Sequence, residues 1–175
     1  EEETIVNQCR EYAKQFENDH LKFERHDMRE VYHENEFDAV FNLFTSFGYF
    51  QDYQDNFKVF ESVKQQIKGQ GTFVLDYLNA EKVVSTMIPY EEKVIDDITF
   101  KLTKSVENGF VKKEIDFEDK GKIYHFEEYV RLIYFNDSKE IYETTGFELT
   151  QVFGNYNLQS FEEKTSDRLI IVLKK

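Results

Sequence analysis

The sequence contains no tryptophan, one proline and one cysteine among its 175 residues. Cys9 alone cannot form an internal disulfide, and this is compatible with a reducing compartment, so we expect a cytoplasmic protein. No apolar run approaches the roughly 20 residues that a membrane-spanning helix requires. The opening EEETIV also lacks the basic and then apolar pattern of an export signal, so no targeting signal is visible.

Basic residues are scarce as well, since 35 acidic residues against 22 basic ones leave a formal net charge of −13. Such a chain repels phosphate backbones and anionic lipid headgroups. We therefore expect no nucleic-acid partner and no membrane partner, and favour a small molecule or a protein. What the sequence has in abundance is aromatic side chains, 18 Phe and 11 Tyr, which indicates a core dominated by ring packing.

The hydrophobic pattern of the front half predicts the helix and strand alternation of an α/β sheet. Residues 4–16 repeat apolar side chains at helical spacing and predict an amphipathic helix. Residues 21–27 alternate apolar and charged side chains, as a short strand does, and residues 37–44 form the nearly continuous apolar run of a strand covered on both faces. A helix over residues 55–67 and a strand over residues 72–78 follow.

From about Val83 the pattern changes to four strand-like runs, which predict an antiparallel meander. Asn108-Gly109 is a strong hairpin signal between two of these runs, and Gly121 marks a second turn. Pro89 is expected at an edge or a strand end because proline cannot donate to a ladder.

The C-terminal part predicts one more helix and two closing strands. Ser138 is expected to cap a short helix that continues through Tyr142 and ends at Gly146. The segments FELTQVF and DRLIIVLKK have the composition of strands. A chain of this length with 40% hydrophobic residues fits one compact domain.

Residues 26–79 contain, in this order, the segments DMRE, NEFDAVFNLFTSFGYF and GTFVLDYLN. Their order and spacing resemble the middle motifs of class I S-adenosylmethionine-dependent methyltransferases, and the similarity continues through the meander to TTGFEL. The resemblance implies an α/β, Rossmann-like sheet with an antiparallel β meander inserted before the last helix. It divides the chain into the C-terminal part of the core (residues 1–82), a β insertion over the substrate pocket (residues 83–136) and the closing helix and strands (residues 137–175).

The resemblance also implies S-adenosyl-L-methionine as the cofactor. At the matching positions, the Asp27 carboxylate accepts a hydrogen bond from the adenine amine and the Met28 backbone N–H meets a ring nitrogen. Both side chains suit this, because a carboxylate accepts from an amine and a thioether packs on a flat ring. The alternative is that Asp27 only caps the turn after a strand. The sulfonium and methionine part of the donor is expected to be lined by the loop after the next strand, through Asn42, Leu43, Phe44 and Thr45.

The acceptor is expected to be a small molecule at the same edge of the sheet. The candidate substrate residues are Tyr49, Asp76, Asn79 and His125. In the relatives, substrate-facing groups follow the strand that matches residues 72–78, and the meander that holds His125 covers the substrate pocket, where its imidazole could act as a base. A loop cap is an equally good interpretation of Asp76 and Asn79, and a satisfied or exposed imidazole is the simpler one for His125. At least two of the four rings of Phe44, Phe47, Tyr49 and Phe50 are expected in the core. No histidine pair has metal-ligand spacing, so no metal is expected.

One element of the family has no counterpart here, namely the acidic and glycine-rich turn after the first strand and the acid after the second strand. Its absence counts against donor binding by this chain alone. It indicates a fragment, a partly resolved protein or one partner of a split enzyme, completed by an upstream segment or by a second copy in a homodimer. Two functions remain: a methyltransferase, or a non-catalytic interaction or regulatory protein that keeps the methyltransferase fold.

Overall fold

The computed structural model describes residues 11–18 and 20–175, and they form two four-stranded sheets and three helices bounded as follows. The elements are β1 (Phe37–Asn42), α1 (Gln54–Gln66), β2 (Ile67–Leu78), α2 (Ala80–Thr86), β3 (Tyr90–Ile95), β4 (Ile98–Glu107), β5 (Phe110–Asp119), β6 (Lys122–Arg131), α3 (Phe135–Thr144), β7 (Glu148–Phe153) and β8 (Arg168–Lys174). Residues 11–14 are also helical, whereas residues 4–10 of the predicted first helix lie outside the described residues. No helix within the described residues has the length and apolar character needed to cross a membrane.

The first sheet has the order β1-β2-β8-β7 and holds the core. β1 and β2 are parallel and α1 connects them, which is the crossover that parallel pairing requires. The antiparallel strands β8 and β7 complete the sheet. α1 buries the predicted stripe at Phe60 and Val63, and the Phe60 ring meets the Phe73 ring of β2 edge to face with 5.2 Å between centroids.

The second sheet is the predicted antiparallel meander, in the order β3-β4-β5-β6. The hairpin at Asn108-Gly109 is confirmed, and both residues have positive φ, as a two-residue turn of the primed type requires. The second turn is at Lys120-Gly121. Pro89 immediately precedes β3, so the prediction of a strand end is also confirmed.

The strand predicted over Leu21 to Asp27 is wrong for the described residues. Leu21 makes only an isolated bridge to Asn18, and no ladder continues from it. Within the described part of the chain, β1 pairs with β2 alone, so the edge of β1 that points away from β2 has no neighbour. Phe41 of β1 is 60% exposed, so the strand is not covered on both faces as the apolar run predicted.

Two further boundaries differ from the predictions. α2 extends through Thr86, so the segment TMIPY contributes only Tyr90 to a strand. Ser138 lies inside α3, where its Oγ donates to the Phe135 carbonyl. The helix is capped four residues earlier, at Tyr134, whose N–H donates to the Asp137 carboxylate. The antiparallel sheet lies within the predicted insertion of residues 83–136, and the three-part division of the chain remains a prediction.

Candidate functional site

The loop of residues 43–49 joins the carboxyl end of β1 to the core and lies beside the carboxyl end of β2. The Thr45 N–H donates to the Asp76 carbonyl over 3.2 Å, and the Phe44 N–H donates to the Asp76 carboxylate over 2.8 Å. In an open α/β sheet, ligands bind outside the carboxyl ends of the parallel strands. The loop therefore occupies the position at which this architecture builds its sites.

Met28 and Asn42, which are both predicted to bind S-adenosylmethionine, lie in contact at the start of this loop. The Asn42 Nδ2 donates weakly to the Met28 sulfur over 3.7 Å. The Asn42 Oδ1 is buried and has no hydrogen-bond partner among the described residues. A buried acceptor without a partner is costly, so this oxygen is suited to receive an N–H group from a ligand.

Asp27 immediately precedes the turn that contains Met28 and Arg29, and its carboxylate binds Arg29. Its carboxylate accepts from the Arg29 backbone N–H over 3.0 Å and from the Arg29 guanidinium over 3.0 and 2.6 Å. The hydrogen bonds from Arg29 lower the pKa of Asp27 to about 2. The Asp27 side chain is 39% exposed, so the carboxylate caps the turn and also presents an ionised oxygen pair to solvent. Its contact with an adenine amine stays a prediction.

The four rings of this region, Phe44, Phe47, Tyr49 and Phe50, divide into two core residues and two exposed ones. Phe47 is fully buried and Phe50 packs against the core, which confirms the expectation that at least two are core residues. Phe44 is 75% exposed and Tyr49 is 45% exposed. These two rings are therefore the ones available to a ligand.

Tyr49 and Gly48 connect the loop to the antiparallel sheet. The Tyr49 hydroxyl donates to Glu128 Oε1 of β6 over 2.9 Å, and the Arg131 N–H donates to the Gly48 carbonyl over 2.8 Å. Partial burial and the Glu128 carboxylate raise the pKa of Tyr49 to about 12. Tyr49 is thus a neutral phenol at physiological pH, and β6 stands directly beside the loop.

Asp76 is 1% exposed and both its carboxylate oxygens are occupied. Oδ1 accepts from Arg168 Nε over 2.7 Å, and Oδ2 accepts from the Tyr156 hydroxyl over 2.9 Å and from the Phe44 N–H. Partial burial and the bond to Asp76 raise the pKa of Tyr156. Both oxygens of Asp76 therefore have partners within the protein, and its contact with substrate stays a prediction.

Asn79 and His125 are two further residues that the sequence predicts to contact substrate. Asn79 is 3% exposed and donates to the carbonyls of Glu163 and Ser166, which is the loop cap considered as the alternative. His125 lies on β6 in unbroken register, three positions from Glu128, so it projects from the opposite face of the sheet. The structure therefore does not bring His125 to the loop of residues 43–49.

His125 instead belongs to an exposed polar cluster. Its Nδ1 lies 2.7 Å from an Asp116 carboxylate oxygen, and this hydrogen bond raises the pKa of His125. Ligand atoms of His125, Glu114 and Glu127 lie within 4.8 Å of one another. The Lys112 ammonium lies 2.8 Å from each of the two glutamates, so both carboxylates already have a cationic partner.

Two residues of the site escaped the sequence analysis, Arg168 and Tyr156. Arg168 opens the predicted closing strand, and a charged side chain at the start of an otherwise apolar run was the available signal. Tyr156 lies in a polar loop with no pattern to distinguish it. A cavity of about 950 Å³ also exists, but no predicted site residue lines it; its lining comprises His20, Lys22, Glu24, His26, Tyr32, His33, Glu36, Phe37 and Gln66.

Comparison with known proteins identifies the fold. No family model matches the sequence, and no curated protein matches it. Among solved structures, the chain is similar to an S-adenosylmethionine-dependent methyltransferase from Clostridium acetobutylicum, with a TM-score of 0.82 and 18% identity over 99% of this chain and 72% of that one. The resemblance to class I methyltransferases is thereby confirmed at the level of the fold.

Two further solved methyltransferase structures are also similar to this chain. The CcbJ methyltransferase from Streptomyces caelestis has a TM-score of 0.73 and 16% identity, and the match covers 85% of this chain and 61% of that one. The sugar N-methyltransferase KedS8 from a Streptoalloteichus species has a TM-score of 0.71 and 15% identity, over 95% of this chain and 66% of that one. The chain therefore spans less than two thirds of the length of these two structures.

Proposed function

We propose that this chain is part of an S-adenosylmethionine-dependent methyltransferase that acts on a small molecule. The observation that carries the proposal is the methyltransferase fold with the unpartnered Asn42 Oδ1 beside Met28 at the carboxyl end of β1. The alternative, a non-catalytic protein of the same fold, rested on the missing glycine-rich turn. No feature of the described residues favours it.

The residues present fit the proposed donor. S-adenosylmethionine supplies an electrophilic methyl group on a sulfonium, and it carries ammonium and adenine amine groups that donate N–H bonds. Asn42 Oδ1 offers an acceptor for one such group, and the Asp27 carboxylate is ionised and half-exposed. Met28 offers a flexible thioether that packs on a flat ring. Asp27, Met28 and Asn42 would hold the donor, and Leu43, Phe44 and Thr45 would border its reactive end.

The acceptor is proposed to lie between this loop and the antiparallel sheet. Phe44 and Tyr49 are exposed rings on the loop, and Tyr49 is hydrogen-bonded to Glu128 of β6. A methyl transfer requires an in-line approach from which water is excluded, and exposed rings beside a covering sheet suit that task. The net charge of −13 disfavours nucleic acid as the acceptor. KedS8, whose name describes a sugar N-methyltransferase, is consistent with a small-molecule acceptor.

The test of donor binding is calorimetric titration of the full-length protein with S-adenosylhomocysteine. Asn42→Leu should weaken binding by about 1.5–3 kcal/mol, the usual value of a hydrogen bond to a charged group, which is roughly a 10- to 150-fold rise in Kd. Asn136→Leu, at an exposed position of α3, is the matched control and should leave Kd unchanged. A full-length protein that binds no S-adenosylhomocysteine would refute the proposal.

The proposed acceptor role of the meander has its own test. Residues 83–136 are replaced by the corresponding segment of KedS8. The acceptor that is methylated should change while the Kd for S-adenosylhomocysteine stays nearly constant. Loss of donor binding without a change in acceptor preference would contradict the assignment of this segment to acceptor choice.

The outer edge of β1 is proposed to be completed by further polypeptide, either an upstream segment or a second copy. Within the described residues this edge has no strand neighbour, and Phe41 on it is 60% exposed. An open apolar edge is a template for pairing with another strand. The amides of residues 37–42 that point away from β2 should therefore exchange fast in a dilute monomer of this chain. They should exchange slowly in a longer chain that carries the completing segment, or at high concentration if a second copy completes the edge. Fast exchange of these amides in all three samples would exclude a completing strand.

A further inference from the structure

A buried carboxylate ties three separate segments of the chain together at the candidate site. Asp76 is at the end of β2, and its oxygens accept from Arg168 at the start of β8, from Tyr156 in the loop after β7 and from the Phe44 backbone. Arg168 continues the connection, because its Nη2 donates to Thr45 Oγ1 over 2.8 Å. Asp76 and Arg168 thus each make a direct hydrogen bond to the loop of residues 43–49.

The two loop residues that receive these bonds have an unfavourable backbone conformation. Phe44 has φ of 59° and Thr45 has φ of 60°, so two consecutive residues with side chains occupy the left-handed region. Such conformations are uncommon outside glycine, and a β-branched residue such as threonine is a marked outlier there. Strained backbone of this kind persists only when the surroundings impose it, and it concentrates at functional sites.

Side-chain packing does not impose the conformation of Phe44. The Phe44 side chain is 75% exposed, and its ring contact is with Tyr156, edge to face at 6.5 Å, which is itself 60% exposed. The hydrogen bonds do reach both strained residues. Asp76 binds the Phe44 N–H through its carboxylate and the Thr45 N–H through its carbonyl, and Arg168 binds the Thr45 hydroxyl.

We propose that Asp76 and Arg168 are positioning residues that hold Phe44 and Thr45 in the left-handed conformation, and so preset the loop that borders the methyl donor. They act through the loop and do not touch the substrate. The meaning of the loop for catalysis rests on the proposed function, whereas the restraint itself is a property of the chain. If the restraint is lost and the loop keeps this conformation a tenth of the time, the apparent Kd of a ligand that requires it rises about tenfold.

The absence of tryptophan from the sequence allows a direct test of loop order. Phe44→Trp introduces a single fluorophore at a position that is 75% exposed. In that background, Asp76→Asn keeps the shape of the side chain and removes its charge. The fluorescence anisotropy should fall and quenching by acrylamide should increase. Asp167→Asn is the matched control, since Asp167 precedes Arg168 but pairs with Lys82 at the surface, and it should leave both readouts unchanged.

A second variant keeps the proposal falsifiable if Asp76→Asn does not fold. Thr45→Val removes only the hydroxyl that Arg168 binds, and the same fall in anisotropy is expected. Unchanged anisotropy and quenching in a folded Asp76→Asn or Thr45→Val protein would overturn the proposal. The Kd for S-adenosylhomocysteine is measured in proteins that retain Phe44. A fall in anisotropy supports the restraint, and absence of binding by the parent protein that retains Phe44 refutes the proposed function alone. A fall in anisotropy together with a weaker Kd supports both.

Discussion

Gly48 is predicted to be a position at which a single methyl group destabilises the whole protein. Its φ is +87°, and a Cβ there would lie 2.0 Å from the Tyr77 hydroxyl oxygen and 2.8 Å from the ring carbon that carries it. Tyr77 is 1% exposed and donates a hydrogen bond to the Arg131 carbonyl, so it cannot move away freely. Gly48→Ala therefore combines a backbone cost with a steric one.

The two costs can be separated with a control from the same chain. Gly109 has φ of +80° and nothing within 4 Å of its added Cβ, so Gly109→Ala incurs the backbone cost alone. That cost is about 1–2 kcal/mol. Overpacking in a filled core adds about 1–3 kcal/mol at Gly48. With about 2–4 °C per kcal/mol for a domain of this size, Gly48→Ala should melt roughly 2–12 °C below Gly109→Ala.

The assay is thermal and urea unfolding of the two variants and of a double-mutant cycle with Tyr77→Phe. Removing the hydroxyl relieves the closest contact, so Gly48→Ala and Tyr77→Phe together should destabilise by less than the sum of their separate effects. The expected coupling is about 0.5–3 kcal/mol. Equal melting temperatures for Gly48→Ala and Gly109→Ala, or strictly additive effects in the cycle, would refute the steric argument.

Two further predictions concern pH. The pKa of Asp27, lowered to about 2 by Arg29, should rise towards the usual aspartate value of 3.8 in Arg29→Gln when followed by carboxyl-carbon NMR. Because the folded pKa is lowered, the stability from this pair is present above pH 4 and is lost as the pH falls through 2. The pKa of His125 is raised by Asp116, so Asp116→Asn should lower it in a histidine NMR titration. The stability from the pair of His125 and Asp116 is present below pH 6.5 and is lost as the pH rises through the folded pKa of His125. An unchanged titration midpoint of His125 in Asp116→Asn would show that the pair is not formed.

Features set by neighbouring residues were predictable from the sequence. The hairpin at Asn108-Gly109 needed only two residues that tolerate positive φ between alternating strands. The helix over residues 54–66 followed from its apolar spacing, and the strand after it followed from its composition. The early start of α3 was missed because its cap uses Tyr134, which is not a usual capping residue, together with Asp137.

Features that depend on distant partners were not predictable. Residues 21–27 have the alternation of a strand, but a strand forms only against a neighbour, and none of the described residues supplies one. The Asp76 to Arg168 contact spans 92 residues and exists because β8 runs antiparallel to β2, with Arg168 opposite Leu78. The position of His125 away from the loop of residues 43–49 could not be predicted, because the face that it occupies depends on the register of β6.

The alternation of side chains along β2 explains how this one strand fixes both ends of the loop of residues 43–49. Asp76 and Tyr77 are consecutive residues of β2, so their side chains project from opposite faces of the sheet. Asp76 binds the loop at Phe44, and Tyr77 lies against Gly48 and bonds to Arg131, whose N–H binds the Gly48 carbonyl. A shift of β2 by one residue would turn both side chains to the opposite faces of the sheet and release the loop at both ends. The pairing of β2 with β8, continuous from residue 72 to residue 78, therefore sets the geometry of the site as well as the stability of the sheet.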